Sequence, residues 1–471
     1  MKRVQPIVIF LIMIFIGVAS AYDFPLPDEI EASPLNFNPL EPAEFQLQNG
    51  INVWMFKNKT LPLVNILIEI NAGEFYENHN TTGISSLVAS MLTSGGTASM
   101  SPMEVDEFLE CNAIDMRSFS MMDMTRVEMS CLAPDIDKAL AMMKEIVFEP
   151  AFDEERLTIV KENEIARLKR YRDNPFFEAR YVFEQAIFGE NNPIAQIPSD
   201  EQIRAFTREQ LVEYHQKFFR PDRVKIAAVG DFKMENMEQL MLRHFNVAAV
   251  DDELKLIDPV PEPKYTKNTV VIVDKEATQA SLFMGHLGPP PSNPDHYALE
   301  IFNLVFGASG FSSRLMNRVR TQEGLAYFVF GAFQKMKPRT VMNVGLQTKT
   351  DSAAEAVKLC LEIMNDMRTE NISSIEMKMA KESTVNSFVF KFERPMNLIK
   401  QIFYYKNLSF DENYLEKYLA NIRKVTREDV LNAAKTHIDP MKLVMVAVGP
   451  KDILTTEFES LGWDIVYSDK P

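Results

Sequence analysis

Two stretches of the chain repeat one another at a fixed separation, and that repeat restricts the possible folds more than any other feature. "FTREQLVEYHQKFFRPDRVKIAAVGDF" (206–232) matches "VTREDVLNAAKTHIDPMKLVMVAVGPK" (425–451). Thr207, Arg208, Glu209, Pro221, Val229 and Gly230 pair with Thr426, Arg427, Glu428, Pro440, Val448 and Gly449, each 219 positions further on. Each copy reads as a helix opened by a threonine cap, then a proline turn, then a buried strand closed by glycine. The period is too long for a solenoid, whose repeats run to about 20–50 residues. Two copies therefore imply two similarly folded domains in tandem.

The joint falls in "DPVPEPKYTKN" (258–268), which has three prolines and no apolar periodicity. This gives an N-terminal domain at 41–255, a linker at 256–266 and a C-terminal domain at 267–471. In the first, "EFQLQNGINVWMF" alternates around Asn49-Gly50, a hairpin signal. "LVNILIEI" adds a strand; a helix follows near 102–112, strands near 115–121 and 125–132, and a strand at 223–230. The second domain reads as strands at 269–286, helices over 351–437 and a last strand at 442–449. Hairpins with segregated helices predict an α+β fold, each domain a largely antiparallel sheet packed with helices.

The amino terminus, "MKRVQPIVIFLIMIFIGVASAYDF", joins a basic start to a short apolar run and Ala19-Ser20-Ala21. It reads as a signal peptide over 1–21, followed by a Pro-rich, acidic lead-in at 22–40. The expectation is an exported protein, periplasmic or extracellular, with no membrane association after cleavage. The formal charge of -16 becomes -18 without Lys2 and Arg3. That acidity argues against nucleic acid as a partner. Cys111, Cys131 and Cys360 are too few for a disulfide scaffold, and no CxxC occurs. Cys111 and Cys131 could bridge or could both be core residues.

"GISSLVASMLTSGGTASMS" (83–101) places Ile84, Leu87, Val88, Met91 and Leu92 on one helix face and Ser86, Ala89 and Ser90 on another. The repeat, the export signal and this helix together resemble the pitrilysin/insulinase-like zinc peptidases, which include the mitochondrial processing peptidase. In that family an HxxEH motif on such a helix binds zinc through two histidines, and its Glu activates water. The alignment implied by the resemblance puts Ser86, Ala89 and Ser90 at those three positions, so the metal site is degenerate. The family's third ligand, a Glu on a later helix, corresponds to Glu162 in "FDEERLTIVKENEIARLKRYRDNP". Glu162 alone cannot hold catalytic zinc, and it reads as a surface or salt-bridge residue. No two of the six histidines lie at i, i+3 or i, i+4. No metal is expected in this chain; zinc is expected on a partner chain.

"FGASGFSSRLMNRVRTQEGLAYFVFGAF" (306–333) resembles the non-metal half of the same family, which contributes an Arg and a Tyr spaced R-x6-Y. Arg320 and Tyr327 have that spacing. The resemblance implies that Arg320 holds a peptide carbonyl or carboxylate and Tyr327 donates to the oxyanion of a substrate, both acting in trans. The alternative reading is a solvated basic face (Arg314, Arg318, Arg320) beside a half-buried tyrosine. Gly307 and Gly310 flank a loop read either as substrate-contacting or as a simple turn. The sequence thus points to a non-catalytic subunit, inactive alone. Its partner would be an HxxEH homologue in a heterodimer, or a second copy, and its substrate a peptide. The alternative is a peptidase-like scaffold with no hydrolytic role.

Overall fold

Along the strand Val224–Gly230, successive side chains enter two different cores. Ile226 and Ala228 join one apolar cluster; Ala227 and Val229 join another on the opposite face. A strand apolar on both faces must be covered on both, and this requirement organises the molecule. The computed structural model describes residues 41–248, 254, 259–392 and 394–468. The signal peptide and lead-in read at 1–40 lie outside these residues, as do 256–258 of the linker.

The first six-stranded sheet contains β1 (Ala43–Gln46), β2 (Asn52–Lys57), β3 (Leu63–Ile70), β4 (Asp115–Ser120), β5 (Thr125–Leu132) and β6 (Val224–Gly230), in the order β1-β2-β6-β3-β5-β4. The second contains β7 (Thr269–Asp274), β8 (Gln279–Leu287), β9 (Ala326–Gln334), β10 (Val341–Lys349), β11 (Val444–Gly449) and β12 (Asp464–Tyr467), in the order β12-β7-β11-β8-β10-β9. β2, β6, β3, β5 and β4 correspond in place to β7, β11, β8, β10 and β9. The β2/β6 and β7/β11 pairs are parallel, and the three pairs that follow in each sheet are antiparallel. The sequence repeat thus marks the matching strands β6 and β11. Thr207 and Thr426 each close a capping box, with Gln210 and Asp429 respectively.

The sixth strands differ. β1 comes from the N-terminal side and pairs antiparallel to β2, while β12 pairs parallel to β7. β12 lies beyond 442–449, where the sequence reading ended the sheet. It is only four residues long and only partly buried, so its alternation is weak. Cys111 is exposed, Cys131 and Cys360 are buried, and all three are free thiols.

The second face of each sheet is covered by a helix from the other half of the chain. Helix Pro175–Phe188 packs Ala179, Val182, Phe183 and Ala186 against Val271, Phe283, Val444 and Val446 of the second sheet. Helix Pro395–Asn407 places Ile399 and Phe403 against Trp54, Leu67, Ala227 and Val229 of the first, with Trp54 and Phe403 edge to face at 4.7 Å. The exchange packs the described residues of the two halves into one unit. Phe403→Ala is expected to cost about 3–5 kcal/mol and to destabilise both halves in one transition. Urea unfolding followed by tryptophan fluorescence and by circular dichroism, with coincident midpoints, checks this.

Candidate functional site

Helix Ile84–Ser94 begins at Gly83, whose φ of +92° lies in the left-handed region open to glycine. The first N–H groups of a helix lack internal partners. Here Glu77 serves them: its carboxylate accepts from Gly83 N and Ser85 N, each at 2.8 Å. Burial pushes the Glu77 carboxyl up from its ordinary 4.5 to about 7, against the pull of these hydrogen bonds.

Ser86, Ala89 and Ser90 lie on this helix as the sequence places them, half-buried, buried and exposed respectively. The carboxylate that meets Ser86 is Glu164. Ser86 Oγ donates to Glu164 Oε1 at 3.1 Å. Glu162 is two residues away on helix Glu154–Arg172, about 200° around the axis, and it is exposed and paired with Arg204 at 3.2 Å. A count of residues along the chain does not see which helix face is buried.

Glu164 is also gripped by Arg167, whose Nε and Nη2 donate to its two oxygens at 2.7 and 2.6 Å. A bidentate guanidinium therefore balances the charge that faces Ser86. Among the described residues no group of three His, Cys, Asp or Glu side chains is arranged to hold a metal. Two hydroxyls, a methyl and an arginine-bound carboxylate do not fit catalytic zinc, which takes three protein ligands and an open position.

Around this point lies a cavity of about 230 Å³, with Glu74, Glu77, Glu164, Arg167, Arg180 and Glu184 in its wall. Arg180 Nε donates to Glu184 at 2.8 Å, and burial raises the Glu184 and Glu74 carboxyls above their usual range. The histidines lie elsewhere: His215 Nε2 donates to Val147 O and burial pushes its pKa down to about 4, while His244 and His437 face Asp137 and Asp295.

In the second half, Arg320 sits in a π-helical segment, Met316–Gln322, and Tyr327 on the edge strand β9. Segments of this kind are rare and concentrate at functional sites. The structure brings the two residues together, with the guanidinium carbon 5.8 Å from the Tyr327 ring centroid. The three arginines do not form a solvated basic face. Arg314 is bidentate to Glu376 at 2.7 and 2.9 Å, and Arg318 meets Asp366 at 2.9 Å. Arg320 has no carboxylate among the described residues.

Gly307 is buried in a π-helical turn, Leu304–Ala308, where an added Cβ would stand 2.3 Å from Gly331 N. It is a close-packing position, not an exposed loop. Gly310, at φ +60° with open space around it, makes a left-handed turn. Sequence reasoning missed Phe311, which follows that turn and lies 5.2 Å from the Arg320 guanidinium. It also missed Glu77, Glu164 and Arg167. The Glu-x-x-Arg spacing of the last two was readable as a helical pair, but nothing in the sequence aimed it inward.

Two family models match the chain. One, "Insulinase (Peptidase family M16)", covers residues 53–190, and the other, "Peptidase M16 inactive domain", covers 205–384. The chain belongs to peptidase family M16. It is similar to a non-peptidase homolog, YmxG, of Helicobacter pylori, 23% identical over 94% of this chain and 98% of that protein. It is also similar to a probable inactive metalloprotease, YmfF, of Bacillus subtilis, 24% identical over 64% of this chain and 71% of that one. The fold matches the crystal structure of a peptidase M16 inactive domain from Pseudomonas fluorescens, with a TM-score of 0.78, 24% identity and coverage of 87% and 98%. It also matches the periplasmic protease PqqL of Escherichia coli, with a TM-score of 0.75 over 92% of this chain and 49% of PqqL. The sequence contains no HxxEH, and the chain is a non-catalytic peptidase homologue.

The buried Glu77 makes stability pH-dependent. Its folded-state pKa of about 7 lies above the ordinary 4.5. Its contribution is therefore fully present below the lower value and is lost as pH rises through the upper one. Glu77→Gln is expected to flatten the fall in stability across that window by up to about 3 kcal/mol, read from urea midpoints at its two ends. Glu74 and Glu184, shifted in the same direction, contribute to the slope that remains.

Proposed function

We propose that this chain is the non-catalytic subunit of an exported two-chain zinc peptidase. Its partner is a homologue carrying HxxEH, which holds the zinc; its substrate is a peptide or an unfolded segment. Arg320 binds a carbonyl or carboxylate of that peptide. Tyr327 donates a hydrogen bond to the oxygen that gains charge as the scissile carbonyl is attacked. The observation that carries this reading is the contrast along one helical segment. Arg314 and Arg318 spend their charge on Glu376 and Asp366, while Arg320 keeps its donors beside an exposed Tyr327. A scaffold has no use for such a pair.

Export is supported by the signal-like residues 1–21 and by the similarity to a periplasmic protease. Among the described residues no helix is long and apolar enough to cross a membrane. Co-expression with an HxxEH homologue, isolation of the complex and a peptide-cleavage assay provide the test. Arg320→Ala and Tyr327→Phe are expected to lower kcat/KM by about tenfold to a thousandfold with the complex intact. Full cleavage in both variants would replace this reading with that of a scaffold. The chain purified alone is expected to retain no stoichiometric zinc by elemental analysis. A tightly held ion would contradict the assignment of Ser86 and Ser90.

A further inference from the structure

Arg320 is held by aromatic rings rather than by a carboxylate. Its guanidinium carbon lies over Phe311 at 5.2 Å and over Tyr327 at 5.8 Å. Both rings are exposed, at 66% and 70%, so burial does not explain their placement. Of the five N–H donors of Arg320, the described residues offer a partner to one alone, the weak acceptor Met316 Sδ at 3.9 Å.

The turn that presents Phe311 is fixed. Ser313 N and Oγ both donate to Gly310 O, at 2.9 and 2.6 Å, and Ser312 Oγ donates to Ser309 O at 3.0 Å. Rings over a guanidinium restrict its rotation and remove water from its faces, while its in-plane donors stay free. A fork held in this way matches a planar acceptor with two oxygens.

We propose that Phe311, Arg320 and Tyr327 together form a carboxylate-binding site, with Phe311 the residue that positions the fork. The ligand is a carboxylate of a bound peptide, either its C-terminus or an acidic side chain. This rests on the reading above that a peptide occupies this face; it adds the group recognised and a third residue.

Calorimetric titration of the purified chain tests it. The probes are Ac-Ala-Phe-Ala as the free acid, the same peptide as its amide, and Ac-Ala-Glu-Ala amide. Both acids are expected to bind about tenfold more tightly than the plain amide; a preference for one of them identifies the source. Phe311→Leu should reduce the preference about two- to fivefold, and Phe311→Trp should restore it. Arg320→Lys, which keeps the charge and loses the fork, should abolish it. A merely structural role for Phe311 would not produce loss with leucine and rescue with tryptophan in variants of equal stability. Equal affinity for acid and amide, no binding of either acid at millimolar concentration, or an unchanged preference in Phe311→Leu would overturn the proposal. Loss of cleavage in the Arg320→Ala complex without any carboxylate preference sinks this inference alone. Full cleavage with the preference present sinks the subunit role and leaves the site.

Discussion

The central strands of both sheets are apolar on both faces, and the rest of the architecture follows from covering them. β6 sends Ile226 and Ala228 one way, Ala227 and Val229 the other. Each half lends a helix to the sheet of the other half, and neither sheet is complete without the loan. The exchange reaches the candidate site directly. Helix Pro175–Phe188, whose apolar residues pack on the second sheet, carries Arg180 and Glu184 into the wall of the cavity beside Ser86. The cavity in the first half is thus anchored by the packing of the second.

Within that cavity, a guanidinium balances the carboxylate that faces Ser86. A zinc ion bound by two imidazoles and a carboxylate would leave a coordination position for water. Arg167 instead satisfies Glu164 through two parallel hydrogen bonds. A guanidinium neutralises a buried carboxylate well, yet it has no vacant orbital and activates no water. The arrangement is electrostatically settled and chemically quiet, in keeping with similarity to proteins described as non-peptidase or inactive.

The fold was legible because its signals are repeated. The Thr caps, the Pro turns and the Gly-terminated strands recur 219 residues apart and mark equivalent strands in equivalent sheets. What the sequence did not carry was which partner covers which face. An apolar strand announces that both sides are buried without naming the helix that lies there. β12 escaped notice because a half-exposed four-residue strand at a sheet edge has almost no pattern. Arg320 and Tyr327 were singled out by their spacing and surroundings. Glu164 was not, because a count of residues from Ser90 fixes a position along a helix but not its rotation. Phe311 was hidden for a different reason: one exposed aromatic residue is ordinary on any surface, and only its place over a guanidinium sets it apart.

The contact between Gly307 and Gly331 bears on how this surface is built. The two backbones meet so closely that a methyl group on the first would strike the second, and one on Gly331 would strike Phe306 and Leu315. This places the π-helical turn Leu304–Ala308 flat against the strand that bears Tyr327, a few residues before the loop of Phe311. Two missing side chains thus set how near the turn lies to the strand, and the arrangement of the rings around the guanidinium depends on hydrogen atoms borne by α-carbons.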